Sequence, residues 1–180
     1  PSALYLVIGQ THPELLRHQG ETYRNSLIDV AREIGVSDQL RFVNEYLTQR
    51  EIVDYLLATD VYITPYLDPG QITSGTLAYA LGAGKAIVST PYLHASEVLA
   101  DGRGLLVPFR EPHAIASAVS DILQNPLLKR SLEHRAYAYG RATTWPAIGA
   151  EVLSLMRLVG SHGEEFTPRE HTTPRPALIA

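Results

Sequence analysis

The amino-acid sequence predicts an α/β fold: a doubly wound parallel sheet with helices on both faces, an α/β/α sandwich. Strand-like and helix-like stretches alternate five times and a run of helices follows, the pattern of successive βα units. Residues 61–64 (VYIT) and 86–89 (AIVS) are apolar runs without alternation, as expected of parallel strands covered on both faces. Right-handed crossovers would bring every strand's carboxyl end to one rim. The turns after Gly9, at 43–47, at 64–76 and at 89–91 would then converge on a cleft.

Residues 3–8 (ALYLVI) form a buried first strand, closed by Gly9. Residues 10–20 are a polar connection with one helical turn after Pro13. Over 21–34, Leu27, Ile28, Ala31 and Ile34 recur at helical spacing, and Gly35 stops the helix. Residues 40–43 (LRFV) are a short strand. Thr48 and Glu51 form a capping box, in which hydroxyl and carboxylate each satisfy one orphan N–H. The helix it opens carries Ile52, Tyr55, Leu56 and Ala58 toward the sheet. The strand at 61–64 ends at Pro65, and Pro69 and Gly70 keep the following turn off the sheet. A helix over 74–81 leads into the strand at 86–89. A short helix over 92–99 and a strand over 104–107 follow. Pro112 sits at a first helical position and opens a helix over 114–123. Asn125-Pro126 repeats that device for a helix ended by Gly140. Thr144-Trp145-Pro146 starts a last helix reaching residue 159, which Trp145 anchors on the sheet. Residues 1–159 are thus expected to form one domain. Residues 160–180, polar and with three prolines, read as a tail with no core of its own.

At 180 residues and a hydrophobic fraction of 45%, the chain suits one globular domain plus a tail. A formal charge of −4 and the absence of any basic run argue against a nucleic-acid partner. Without cysteine, neither a disulfide framework nor a thiolate metal site can form. No apolar run approaches the roughly 20 residues of a membrane span, and no signal peptide is visible. The chain opens Pro1-Ser2 and enters a strand without a methionine, as expected of a piece of a longer polypeptide.

The chemistry concentrates between residues 60 and 90. Thr73, Ser74, Gly75 and Thr76 place short hydroxyl side chains and a glycine at a helix start. Unpaired N–H groups there stay open to an anion, and the aligned peptide dipoles add roughly half a positive charge. A phosphate suits such an end, and the carboxyl edge of a parallel sheet is where open α/β folds place a ligand. The same residues equally suit a plain N-cap. On local chemistry both readings stand.

The segments 4–9 (LYLVIG), 40–47 (LRFVNEYL), 58–65 (ATDVYITP), 80–88 (ALGAGKAIV) and 97–108, with Asp101-Gly102 and Gly104 to Pro108, follow one another in a distinctive order and spacing. In that order the chain, from residue 3 to about 156, resembles the C-terminal donor-binding domain of retaining GT-B glycosyltransferases. The likeness is to the glycogen-synthase-like and sucrose-synthase-like class, whose C-terminal half is Rossmann-like. The segments are similar, in turn, to the family's glycine-ended strand, its short strand with a nucleoside-facing loop, its aspartate–strand–proline segment, its helix end with a Gly-Lys turn and strand, and the segment beyond.

The resemblance implies transfer of a sugar from a nucleotide-sugar donor with retention at the anomeric carbon, in cytoplasmic carbohydrate biosynthesis. The diphosphate sugar is the substrate, and no cofactor or metal is expected. The implied donor-binding residues are Gly9, Leu47, Thr64, Pro65, Gln71, Thr73, Ser74, Gly75, Thr76 and Tyr79, with the diphosphate on backbone N–H groups of 73–76. No catalytic residue is assigned within this stretch. The family's two glutamates, separated by seven residues, fall on Gln71 and Tyr79, so both carboxylates are absent. Gln71 can hydrogen-bond sugar hydroxyls without charge, and Tyr79 offers a ribose diol one hydroxyl where a carboxylate would accept from both. The family's diphosphate-neutralising lysine and arginine have no counterpart, and Arg103 and Lys85 do not stand at their positions. The implied partners are the nucleotide-sugar and an N-terminal acceptor-binding domain of the same polypeptide, which could also supply peripheral membrane contact. Neither nucleic acid nor a transmembrane segment is expected. This stretch alone should bind a donor weakly and catalyse nothing. The alternative is a non-catalytic α/β module that binds a phosphorylated ligand or a protein partner. The missing glutamates favour it, and the compact polar run from Gln71 to Thr76 speaks against it.

Other polar residues have plainer readings. His12 and His18 lie on the polar connection as surface histidines. His94 and Glu97, three apart, share a helix face with a helix-start or packing role. Asp60 reads as a turn or cap residue. Tyr5, Tyr62, Tyr66 and Tyr92 lie in or beside strands and suit core and rim packing. The exposed apolar side of the last helix is expected to be a domain interface.

Overall fold

The computed structural model describes residues 3–162. They divide into two compact units that meet in sequence between Ala58 and Thr59. The tail expected over 160–180 falls outside the described residues from 163 onward.

In the first unit, β1 (Tyr5–Ile8) and β2 (Leu40–Val43) pair in parallel, Tyr5 opposite Leu40 and Ile8 opposite Val43. Between them run α1 (Pro13–Gln19), α2 (Thr22–Glu33) and a 3-10 turn (Ser37–Gln39); α3 (Gln49–Ala58) follows β2. Helix α1 is longer than the single turn expected. Pro13 stands at its first position and His12 accepts the Glu14 N–H at 3.3 Å, so its start is capped. The capping box closes as expected. Glu51 accepts from the Thr48 N–H at 2.8 Å and from its hydroxyl at 2.7 Å, while the Glu51 N–H reaches that hydroxyl at 3.4 Å.

Among the described residues of this unit, Ala31 and Leu56 alone are buried. Ile34 and Ala58, expected to face inward, are exposed. The first strand, expected to be buried, is half-exposed, with Tyr5 at 50%. A two-stranded sheet offers too little surface to shield an apolar run on both faces.

In the second unit, β3 (Val61–Thr64), β4 (Ala86–Ser89) and β5 (Leu105–Leu106) form a parallel ladder in that order. Thr64 stands opposite Ser89, and Ser89 opposite Leu106. β4 is paired on both sides and wholly buried; β3 is paired on one side and half-buried until Thr64. Helix α4 (Gly75–Gly82) lies between β3 and β4, and α5 (Leu93–Val98) between β4 and β5. Three helices complete the unit: α6 (Pro112–Gln124), α7 (Pro126–Ala142) and α8 (Trp145–His162). Ala86 and Val88 pack with Val107, Ala118, Ile122 and Leu132 in one core. Asn125 caps α7, its Oδ1 accepting the N–H groups of Leu127 and Leu128 at 3.1 Å.

Two expectations are corrected here. Gly140 does not end α7, which runs to Ala142. It is buried where α7 meets α4, and a Cβ there would stand 2.7 Å from Gly82 Cα and from Leu81 O; the missing side chain permits close approach. Trp145 does not anchor α8 and is 89% exposed, because α8 buries none of its described side chains. Asp60 lies in the bend before β3, as its reading as a turn residue expects, and is also an ion-pair partner: its carboxylate is 2.7 Å from Lys129 Nζ, and the hydrogen bond from that ammonium holds its carboxyl below the usual range.

The helix crossing makes a test. Gly140→Ala should cost about 1–3 kcal/mol as an overpacking change, read as a lower midpoint of urea unfolding. Gly149→Ala on α8, where a Cβ meets nothing within 4 Å, should leave the midpoint unchanged or raise it.

Candidate functional site

The carboxyl ends of β3 and β4 form a polar edge that is nonetheless closed to water. Thr64, Ser89 and Thr90 are between 1% and 3% exposed. The Ser89 hydroxyl lies 3.1 Å from Thr64 O and 2.8 Å from Thr90 O, and the Thr90 hydroxyl donates to Tyr66 O at 2.5 Å. Thr64 Oγ1 is 3.3 Å from the Tyr92 hydroxyl, and the Tyr92 ring meets Tyr66 edge-on with centroids 5.4 Å apart. Each of these buried hydroxyls has a partner, so the strand ends and the first part of the 65–74 loop are held in place.

The far part of that loop is held by α5. Leu93 and His94 donate their N–H groups to Pro69 O at 3.0 Å and Gln71 O at 3.2 Å. The Ser74 N–H donates to His94 Nδ1 at 3.0 Å. Ser74 then caps α4, with an extended backbone and its Oγ accepting the Leu77 N–H at 3.3 Å. The N-cap reading therefore holds for the Ser74 side chain, which is buried.

The backbone beside it remains open. The N–H groups of Gly75 and Thr76 have no acceptor among the described residues, as the first amides of a helix do not, and they carry the positive end of its dipole. A Cβ on Gly75 would meet nothing within 4 Å, and its backbone is not left-handed. Neither packing nor geometry within the chain calls for glycine there.

Thr76 is oriented from below. The Tyr62 hydroxyl donates to Thr76 Oγ1 at 2.8 Å, which leaves the Thr76 proton to be donated elsewhere; Ser74 Oγ lies at 3.5 Å. Burial pushes the Tyr62 phenol up to about 12, so it stays a donor at physiological pH. Gln71 Nε2 donates to Thr73 O at 3.0 Å, leaving its Oε1 without a partner among the described residues. Thr73 and Pro65 are exposed. Tyr79 shares a helix face with Gly75 and Thr76 and is 37% exposed.

Thr64, Gln71, Thr73, Ser74, Gly75, Thr76 and Tyr79 thus all belong to the second unit, around the start of α4. Gly9 and Leu47 belong to the first unit. Gly9 closes β1 at φ 122°, its N–H donating to Val43 O at 3.0 Å and its carbonyl accepting from Arg24 at 3.1 Å. Leu47 is half-buried after β2. Sequence reasoning missed the contacts of His94 and Tyr62. They reach Ser74 and Thr76 across 20 and 14 residues, and helical or strand periodicity carries no signal for such pairs.

Arg103 and Lys85 are held by the fold. Arg103 donates to Val98 O at 2.7 Å and Glu97 O at 3.1 Å, and lies over the Tyr139 ring at 4.6 Å, completing the end of α5. Lys85 is buried and donates to Thr59 O at 3.0 Å. Among the described residues, no three of His, Cys, Asp and Glu converge to hold a metal ion, and no helix is long and apolar enough to cross a membrane.

The family model described as "Glycosyl transferases group 1" matches residues 5–125. Over 91% of its length the chain is 25% identical to the phosphatidyl-myo-inositol mannosyltransferase of Mycolicibacterium smegmatis, covering 39% of that protein. It is similar to the structure of Anabaena Alr3699/HepE in complex with UDP, with a TM-score of 0.73 at 14% identity over 89% of this chain and 42% of that one. It is also similar to sucrose-phosphate synthase from Thermosynechococcus elongatus, with a TM-score of 0.68 at 20% identity over 87% and 38%. At these identities the solved structures show a shared fold. The chain spans about two fifths of the length of each of these relatives.

The elevated Tyr62 phenol can be measured. Its folded value of about 12 lies above the ordinary tyrosine value near 10, so folding favours the protonated form. Stability should fall as pH rises from about 10 to about 12. Tyr62→Phe should remove that part of the fall and the latest step in tyrosinate absorbance.

Proposed function

Because the chain belongs to the glycosyl transferases group 1 family, we propose that it is the donor-binding part of a retaining glycosyltransferase, and that it holds a nucleotide-sugar by its diphosphate at the amino end of α4. The observation that carries this reading is Gly75, a glycine that nothing among the described residues requires, with open space before two amides that have no acceptor among those residues. With the Thr76 hydroxyl, whose acceptor side is filled by Tyr62, these amides make an anion site from dipoles alone.

In the proposed reaction, the bond between the anomeric carbon and the diphosphate oxygen breaks, and its electron pair leaves with the nucleoside diphosphate. The oxygen of an acceptor hydroxyl bonds to that carbon on the same face of the sugar, and its proton passes to the departing diphosphate oxygen. The site contributes by stabilising the departing negative charge and holding the donor still. The unpartnered Oε1 of Gln71 suits a sugar hydroxyl and the Tyr79 phenol a ribose hydroxyl. The reading requires no metal. The basic pair, the acceptor site and any peripheral membrane contact would come from another part of the protein, and this stretch alone would be inactive. The whole protein would be a cytoplasmic hexosyltransferase of carbohydrate biosynthesis.

Gln71 and Tyr79, standing where the family resemblance calls for carboxylates, favour a second reading: a non-catalytic module that keeps the phosphate site. Calorimetric titration with UDP, GDP and ADP tests the donor site. Weak binding of one diphosphate is expected, and its loss in Gly75→Asp, whose carboxylate would occupy and repel the anion position. Binding with no glycosyl transfer by the whole protein would leave the module. Silence toward all three nucleotides from both this chain and the whole protein would overturn the donor reading.

A further inference from the structure

We propose that His94 is a positioning residue of this site: its neutral ring holds the Ser74 amide and thereby aims the Gly75 and Thr76 amides. The inference rests on the donor-site reading above. Three hydrogen bonds tie the 65–74 loop to the start of α5. Two run between backbone groups, Leu93 to Pro69 and His94 to Gln71, and any side chain would allow them. The third, from the Ser74 N–H to His94 Nδ1 at 3.0 Å, depends on the residue at 94.

That bond grips the cap itself. Ser74 is 4% exposed; its carbonyl accepts the Ala78 N–H at 3.2 Å and its hydroxyl the Leu77 N–H at 3.3 Å. A displacement of Ser74 therefore carries the first turn of α4 with it. Without His94 the Ser74 amide would be buried and unpaired, which a folded chain avoids by moving the group toward water.

Acceptance at Nδ1 places the ring proton on Nε2, which has no partner among the described residues. A doubly protonated ring has no lone pair to offer and would turn a second N–H against the amide. The titratable groups on the surrounding elements are Tyr62 on β3, Tyr66 and Asp68 in the loop, Tyr79 on α4, and Tyr92 and Glu97 around α5. Asp68 already accepts the Gly70 N–H at 2.9 Å. Among the described residues His94 forms no ion pair with any of them, and the Ser74 N–H is the partner of its Nδ1.

The test titrates UDP, GDP and ADP into the chain at about pH 8, above the ligand's own phosphate titration near pH 6, for wild type, His94→Ala, His94→Leu and His94→Asn. Amide hydrogen exchange at Ser74 reads the contact without ligand. His94→Ala should weaken binding roughly 5- to 30-fold, the factor for an unpaired buried donor, and speed exchange at Ser74. His94→Asn, whose Oδ1 replaces Nδ1, should stay within about threefold of wild type, whereas His94→Leu, which fills the space without an acceptor, should bind as weakly as His94→Ala. Should His94→Ala fail to fold, the Asn and Leu variants decide alone. Equal affinity in wild type and the variants without an acceptor, or exchange at Ser74 that does not change in them, would overturn this inference and leave the donor site standing. Absence of nucleotide binding in every variant would overturn the donor reading together with it.

Discussion

Ala86, Ile87 and Val88 of β4 expose no surface, and the second unit is arranged to keep them covered. Side chains along a strand alternate between faces, so a central strand needs cover on both, and each buried Ile or Val contributes about 1.5–3 kcal/mol. Helices α6 and α7 supply one cover through Ala118, Ile122 and Leu132. Helix α4 packs in turn on α7, at a crossing so close that Gly140 must lack a side chain. The position of the α4 amino end is therefore inherited from the burial of β4. The proposed ligand site, which looks like a local loop motif, is set by an apolar strand and a helix more than fifty residues downstream.

Around that helix end, polar groups divide into those that build and those that remain open. The hydroxyls of Thr64, Ser74, Ser89 and Thr90 all have partners inside the protein. They fix the strand ends, the loop and the cap, so the loop does not need a ligand to order it. The open donors are mostly backbone amides, which remain donors whatever side chains stand at Gln71 and Tyr79. The proposed anion site would tolerate the replacement of the carboxylates that the family resemblance calls for at Gln71 and Tyr79. The proposed recognition of a sugar and a nucleoside would rely on side chains and have no such tolerance.

The first unit is held together differently. Its two strands bury little, and a polar network stands in for a core. Glu21 accepts from Thr11 at 2.7 Å, from Arg24 at 3.0 Å and from Asn44 at 3.3 Å. These donors, Thr11 foremost, hold its carboxyl below the usual range. The Arg24 guanidinium also lies over Phe42 at 5.5 Å from the ring centroid, adding apolar contact to charge. The network gathers at the Gly9 end of β1, so the glycine turn is braced by side chains from α2.

The sequence by itself determined the features that short-range chemistry controls. The strands at 40–43, 61–64 and 86–89 begin and end where the apolar runs do, because strand length follows the run that can be buried. The Thr48–Glu51 box and the starts at Pro112 and Pro126 were legible because a cap involves neighbours within four residues. The same reach accounts for recognising the α4 amino end as an anion site or a cap; Ser74 supplies the cap. Only the tertiary structure decided that Gly140 is a contact and not a stop, and that Trp145 stands exposed. It alone joined Asp60 to Lys129 across 69 residues, Tyr62 to Thr76, and His94 to Ser74. Periodicity reports which face of an element is apolar, whereas these outcomes depend on which elements meet, and that is set by the packing of the whole unit.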